Sequence, residues 1–445
     1  MSFSRQFVKT AQRLLPSPFT LAILITFFTA ILALLLTNGS GQKMQLLEIG
    51  EYWQKGFWEL LAFTLQMMLI LVLGHVLAIS PIVNRGINYL LRFVKGAASA
   101  AYVVCLVTLV LALFNWGLGL VFGALFARKV GEFAKANNIP INYPLIGAAG
   151  YAGLMVWHGG LSGSAPVTVA GADHHLVAQM GVISTDLTIF SGMNLTVSAL
   201  LLILLPALMY FIAKRSEPTL CELLPDYIAP NVNTNLQKEE GAERLNHSRP
   251  LALITAFIFL IISTMWFVNS GFALSLNFIN FTLFGLGIWL HGSFHKFTQA
   301  AEAAIGSSTG IMIQFPLYAG IMGIMKYSGL IDVFSQFFVS ISSDFTFPFF
   351  TFISAGIVNI FVPSGGGQWA VQGPIIVEAA QQLNVPLAKS VMALAYGDQI
   401  TNMLQPFWAL PLLGITGLKA QQILPYCLAL FTAGIFIFGI GLALF

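Results

Sequence analysis

The sequence predicts an all-α polytopic membrane protein, and three observations predict it. Of 445 residues, 57% are hydrophobic and only 8% are charged, whereas a soluble domain carries about 25% charged residues. Apolar runs of about 20 residues, the length that crosses a hydrocarbon core, recur along nearly the whole chain, and the mean hydropathy is +0.83. Several of these runs are interrupted by Gly, Asn, Ser and Pro at matching places in the two halves. The expected architecture is therefore one of inverted repeats with two re-entrant hairpins and broken helices, about nine spans in all.

The first repeat is expected over 1–213, with spans at about 18–37, 57–79, 143–170 and 187–213. Its basic, amphipathic start, MSFSRQFVKTAQRLL, leads into a full apolar span without a small-residue cleavage site, so it reads as retained. A less regular apolar region at about 100–127 breaks at Asn115-Trp116-Gly117-Leu118-Gly119. Each limb looks too short to cross alone, which suggests a hairpin entering and leaving on one side. The next span breaks between Trp157 and Pro166.

Residues 214–250 turn polar and read as a cytoplasmic linker, followed by a connecting span at 251–269. The second repeat, 270–445, carries spans at about 275–292 and 305–326, a hairpin at about 346–378, a span at about 388–416 broken near Asp398, and a last span from about 421. Asn115 pairs with Asn359, Asn138 and Pro140 with Asn384 and Pro386, Tyr151 with Tyr396, and Pro166 with Pro411, all at a nearly fixed offset. This shared order points to an internal duplication. In the first half the basic residues collect on one side (Arg5, Lys9, Arg13, Arg85, Arg92, Lys95, Arg128, Lys129, Lys135, Lys214, Arg215), with Lys43 and Lys55 opposite. That predicts a cytoplasmic N-terminus, and the single extra span after the linker then inverts the second set.

Paired broken helices are the pattern of an alternating-access carrier. Half-helix N-termini offer N–H groups and partial positive charge to an anion, and Ser162, Gly163, Ser164, Ser364 and the glycines Gly117, Gly365, Gly366 and Gly367 add hydroxyls or allow close backbone approach. No Lys or Arg falls near the middle of an expected span. A singly charged carboxylate is therefore favoured over a di- or tricarboxylate, which would recruit Arg. Trp116, Trp157, Trp369 and Trp408 stand beside the breaks, where they can wall in a short alkyl tail or sit in an interfacial belt. Asn115, Asn359, Asn402 and Gln368 can line the site, cap helix breaks or offer oxygens to Na⁺.

Of 17 acidic residues, Asp398 alone lies well inside an expected span. A carboxylate there must be neutral, paired or cation-bound. Asp398, with Asn402, is the expected ion-coupling position for H⁺ or Na⁺; a hydrogen-bonded structural Asp is the plainer reading. His158 and His75 are the other titratable groups within apolar spans. Three cysteines without CxxC spacing imply neither a disulfide framework nor a metal site. Cofactors, nucleic acid and an enzyme active site are not expected: HExxH and GxSxG are absent, and Gly160-Leu161-Ser162-Gly163-Ser164 lacks the last glycine.

The segments NWGLGLVFGALFAR (115–128), GGLSGSAP (159–166), QFPLYAGI (314–321), VPSGGGQWAVQGP (362–374) and AYGDQITNMLQPFWALP (395–411) closely resemble the bacterial short-chain fatty acid transporter family. The likeness runs from LPSPFT to the C-terminal span. It implies uptake of monocarboxylates such as butyrate or acetoacetate at the bacterial inner membrane, an elevator-like transport domain within the wider ion-transporter superfamily, and a homodimer. The chain departs from the family pattern at His158, where glycine is common, at Gln368, where histidine is common, and at Asp398, where glutamate is common. A dicarboxylate or other organic-anion carrier is the alternative, followed by a channel or membrane enzyme.

Overall fold

Long apolar stretches with few charges form helices because in lipid every backbone N–H and C=O must be satisfied within the segment. The computed structural model describes residues 18–37, 46–217, 241–269, 275–361 and 365–445. Among them the chain is helical almost throughout and no strand occurs. In the first half lie α1 (Pro18–Leu36), α2 (Leu46–Phe57), α3 (Leu61–Ala78), α4 (Pro81–Leu90), α5 (Ala97–Phe114), α6 (Trp116–Ala136), α7 (Tyr143–Tyr151), α8 (Ser164–Thr168) and α9 (Gly192–Arg215). Then follow α10 (Arg249–Asn269), α11 (Leu276–His291), α12 (Phe294–Ile305), α13 (Thr309–Ser328), α14 (Leu330–Ile341), α15 (Phe347–Phe361), α16 (Gly365–Gln382), α17 (Leu387–Thr401), α18 (Pro406–Thr416) and α19 (Ala420–Leu444).

By length and composition, α3, α5, α9, α10 and α19 can each cross a membrane, and α12 with α13 makes a sixth span bent by 55°. The span expected at 18–37 is the single 19-residue helix α1, whereas those expected at about 143–170 and 388–416 are built of shorter pieces. Helix α10 is the most lipid-like: Ile254, Phe257, Ile258 and Met265 are all at least half exposed, the pattern of a span with few protein neighbours. Helices α2, α4, α12 and α14 were not anticipated as elements. They are short and amphipathic, each with one apolar face on the core, and their mixed polarity hides them from a search for 20-residue apolar runs. Helix α2 lies against α13 where Gly56 meets Gly323, a crossing so close that a Cβ on either would strike the other's backbone.

The first hairpin is α5–α6, closed at Asn115. A Cβ on Gly119 would lie 2.6 Å from the Ala112 Cβ, and one on Gly123 would lie 2.8 Å from the Thr108 Cγ2, so the limbs run antiparallel in close contact. The limbs are 18 and 21 residues long, not the short pieces expected. At about 1.5 Å per residue each approaches the thickness of a hydrocarbon core. The second hairpin is α15–α16, tied by Gln368 Nε2 donating to Ala355 O (2.8 Å) and Gln372 Nε2 to Ser354 Oγ (3.0 Å). Val362, Pro363 and Ser364, expected at its tip, lie outside the described residues.

Each hairpin leads into a broken helix through the same turn. Asn138 and Asn384 are the non-glycine residues with positive φ among those described, at 51° and 56°. Ile139 N–H closes on Ala134 O (2.8 Å) and Val385 N–H on Ala380 O (2.9 Å), and a proline follows at position 140 or 386. This is a left-handed helix C-cap at two places 246 residues apart (384 minus 138). Helix α7 then gives way to 3-10 turns at Ala152–Met155 and Trp157–Gly159 before α8, as expected. Helix α17 continues through Asp398 and breaks at Asn402–Gln405, four residues later than expected; the Asp398 carboxylate faces His158 on another segment, 2.8 Å away, instead of competing for its own backbone.

Candidate functional site

The two broken segments brace one another. Tyr151 OH, on α7, donates to Asn402 O (2.8 Å) and Gln405 O (3.3 Å), carbonyls at the point where α17 breaks. Reciprocally, Tyr396 OH on α17 donates to Asn194 Oδ1 (3.1 Å), and Asn194 Nδ2 donates to Gly159 O (2.8 Å) in the first break. Buried carbonyls that lose their helical partners need such donors. Tyr151 thus braces the α17 break directly, and Tyr396 reaches the first break through Asn194.

At the centre lies an ionisable pair. His158 Nδ1 is 2.8 Å from Asp398 Oδ2, and both side chains are fully buried. The Ala165 backbone N–H donates to His158 Nε2 (3.1 Å). An amide can only donate, so Nε2 is the acceptor nitrogen and Nδ1 carries the proton toward the carboxylate. The ring is held flat against Trp157 (centroids 4.3 Å apart, planes at 9°), while Gln399 Oε1 accepts the His158 N–H (3.0 Å). Asp398 Oδ1 has no hydrogen-bond partner. No cluster of His, Cys, Asp and Glu that could hold a metal occurs among the described residues.

A cavity of about 20 Å³ abuts this pair. Met67, Leu154, Ile311 and Phe315 form its apolar side. Trp116, Trp157 and Trp408 form an aromatic side, with Trp116 centred 5.8 Å from Trp157 and 5.5 Å from Trp408. Ser164, Gly365, Gly366 and Asn402 complete it. Gly365 opens the long helix α16 and separates the pair from the cavity: a Cβ there would lie 2.6 Å from Trp157 Cη2 and 2.9 Å from Asp398 Oδ2. Only a residue without a side chain lets the helix N-terminus approach so closely. No Lys or Arg lines the cavity. At this size it holds about one water.

The sequence-selected residues divide by task. Ser164, Gly365, Gly366 and Asn402 line the cavity, and Gly367 lies buried in the first turn of α16. Asn359 is fully buried and gives its amide to Asp398 O (2.7 Å), Thr401 Oγ1 (2.8 Å) and Asn402 Oδ1 (2.9 Å), binding the second hairpin to the α17 break. Asn115 and Ser162 have their acceptors engaged at the tip of the first hairpin. Asn115 Oδ1 takes the Leu118 N–H (2.7 Å) and Ser162 Oγ the Trp116 N–H (2.8 Å). The α6 N-terminus is thereby largely capped by protein, contrary to the expectation that both half-helix ends present unpaired N–H groups. Gly117 packs on the backbone of Leu71, and Gly163 closes the turn over His158 O. Gln368 bridges the second hairpin, and Trp369, expected beside a break as a wall for an alkyl tail or in an interfacial belt, is buried in a separate apolar cluster with Ile376 and Leu394. Ser364 lies outside the described residues.

Sequence reasoning missed the His158–Asp398 contact, the Tyr151 and Asn194 braces, and the apolar wall from α3 and α13. A signal for the first was present: His158 and Asp398 are the histidine and the carboxylate inside the two broken spans. Met67 and Phe315 carry no such signal, since they look like any other apolar membrane residue.

The model of the family described as "Short chain fatty acid transporter" matches residues 1–445. A protein of Escherichia coli (strain K12) named for short-chain fatty acid transport is 38% identical over 449 residues, covering 99% of both chains. One of Haemophilus influenzae with the same name is 37% identical, covering 98% of both. The fold is shared with the YdaH transporter of Alcanivorax borkumensis, whose crystal structure is described as having an unusual topology. That match has a TM-score of 0.54 and 14% identity, covering 96% of this chain and 98% of that one. A multi-pass helical membrane protein that matches this family from end to end belongs to it: the chain is a member of the short-chain fatty acid transporter family.

Proposed function

We propose that the protein is a secondary active transporter that takes up short-chain monocarboxylates, such as butyrate or acetoacetate, across the inner membrane together with a proton. The observation that carries this reading is the buried His158–Asp398 pair behind Gly365, beside an uncharged cavity. With a single proton on the pair, carried by Nδ1, Asp398 is the ionised partner. An anion entering the cavity then meets a carboxylate one residue away, and their repulsion is relieved when a second proton neutralises the pair. Proton and anion therefore favour each other's binding, which is the thermodynamic condition for symport. The reciprocal tyrosine braces and the repeated Asn turn support an inverted duplication with the site between its halves, and the N-terminus is read as cytoplasmic.

A sodium reading is favoured by one feature: Asp398 Oδ1 and Asn359 Oδ1 are buried without hydrogen-bond partners, and oxygens of this kind suit a hard cation. Labelled butyrate, acetoacetate and succinate offered to proteoliposomes under imposed pH or Na⁺ gradients separate the readings. Accumulation of the monocarboxylates under a pH gradient alone is expected. Accumulation only with Na⁺ would replace the ion, and exchange of succinate without monocarboxylate uptake would replace the substrate.

A further inference from the structure

A carboxylate held without Lys or Arg needs neutral donors, and the cavity wall contains two residues whose indole N–H groups are unpartnered among the described residues and one whose hydroxyl is only weakly engaged. The indole Nε1–H groups of Trp116 and Trp157 are buried and have no hydrogen-bond partner. Both residues line the cavity and are only 4% and 5% exposed. Ser164, 2% exposed, has as its hydroxyl's acceptor only the Met67 sulfur at 3.6 Å, a weak partner. Unsatisfied buried donors are rare in folded proteins, and each carries a desolvation cost. Two such indoles and one weakly engaged hydroxyl around one cavity form a placement that an acceptor-bearing ligand would complete. The first residues of α16, Gly365 and Gly366, line the same space and add the positive end of an 18-residue helix.

We propose that Trp116, Trp157 and Ser164 form the carboxylate-recognition group of this transporter, with the indole N–H groups donating to the substrate oxygens. This rests on the monocarboxylate reading above and gives the tryptophans a different task from the apolar walling expected of them. Indole N–H donates and never accepts, so the two indoles select a ligand end that carries acceptors. A single carboxylate offers about four acceptor sites on its two oxygens, and two indoles with one hydroxyl fit within that capacity without an additional positive charge. Met67, Ile311 and Phe315 are left for the alkyl tail.

The test uses the full-length protein in proteoliposomes, with counterflow KM measured for propionate, butyrate and valerate in Trp157→Phe and Trp116→Phe. Phenylalanine keeps an aromatic wall and removes the N–H. A lost hydrogen bond to a charged acceptor should raise KM roughly tenfold to a hundredfold, by the same factor for all three acids. A second version of position 157 carries 3-benzothienylalanine, which exchanges the N–H for sulfur on the same bicyclic frame, and should show the same rise. Trp369→Phe serves as control: its indole N–H is likewise buried and unpartnered but lies away from the cavity, and KM should stay within twofold. An unchanged KM in both site variants, or a change confined to the ranking of chain lengths, would show the indoles to be an apolar wall and overturn the proposal. A wild-type protein that exchanges none of the three acids would overturn the substrate reading and this proposal with it, whereas exchange with unaffected variants overturns this proposal alone.

Discussion

Replacing Asp398 by Asn removes the charge while keeping the shape and an oxygen for His158 Nδ1–H. The structure sets the size of the effect. Asp398 Oδ2 is 2.9 Å from where a Gly365 Cβ would sit, and Gly365 lines the cavity, so a bound carboxylate lies about one residue further on. Two unit charges about 7 Å apart at an effective dielectric of about 20 repel by about 2 kcal/mol, roughly a thirtyfold weakening of anion binding whenever the pair is unprotonated. Asp398→Asn imitates the neutralised pair permanently. Butyrate binding to the purified wild type should weaken as pH rises, whereas the variant should bind at least as tightly as the wild type at its best pH and show no pH dependence. In proteoliposomes the variant should still exchange internal for external butyrate yet fail to accumulate it under a pH gradient. Accumulation by the variant driven by pH alone, or wild-type binding that ignores pH, would refute this account of coupling.

Three further outcomes follow from the same geometry. His158→Ala strips a fully buried carboxylate of its partner and the Ala165 N–H of its acceptor, which should destabilise the protein by about 3–5 kcal/mol; thermal unfolding in detergent should show most of this loss recovered in the His158→Ala/Asp398→Asn double variant. Gly365→Ala places a methyl 2.6 Å from Trp157 Cη2, an overpacking cost of about 1–3 kcal/mol; butyrate exchange should fall at least tenfold while membrane abundance changes little. Asn138→Ala and Asn384→Ala each put a less tolerant residue at positive φ and should each cost about 1 kcal/mol; markedly unequal thermal shifts would argue that the two turns are not equivalent.

What the sequence alone determined is what depends on local chemistry. Low charge and long apolar runs demand membrane helices because lipid offers no other partner to the backbone. Breaks fall where Gly, Asn, Ser and Pro interrupt those runs, which located both hairpins and both broken helices. Asp398 stood out because a carboxylate inside an apolar helix is costly wherever it is placed. The amphipathic helices α2, α4, α12 and α14 escaped notice because their apolar faces become meaningful only against a neighbour. Tertiary structure alone decided which interruptions make the site. Asp398 meets a histidine 240 residues earlier (398 minus 158), Ser162 and Asn115 turn out to cap a hairpin, and Trp369 is sequestered in another cluster while Trp116, Trp157 and Trp408 converge. The physical reason is that pairing a buried charge, or leaving an indole N–H unused, depends on distances set by helix packing between distant segments, and no local pattern of residues encodes those distances.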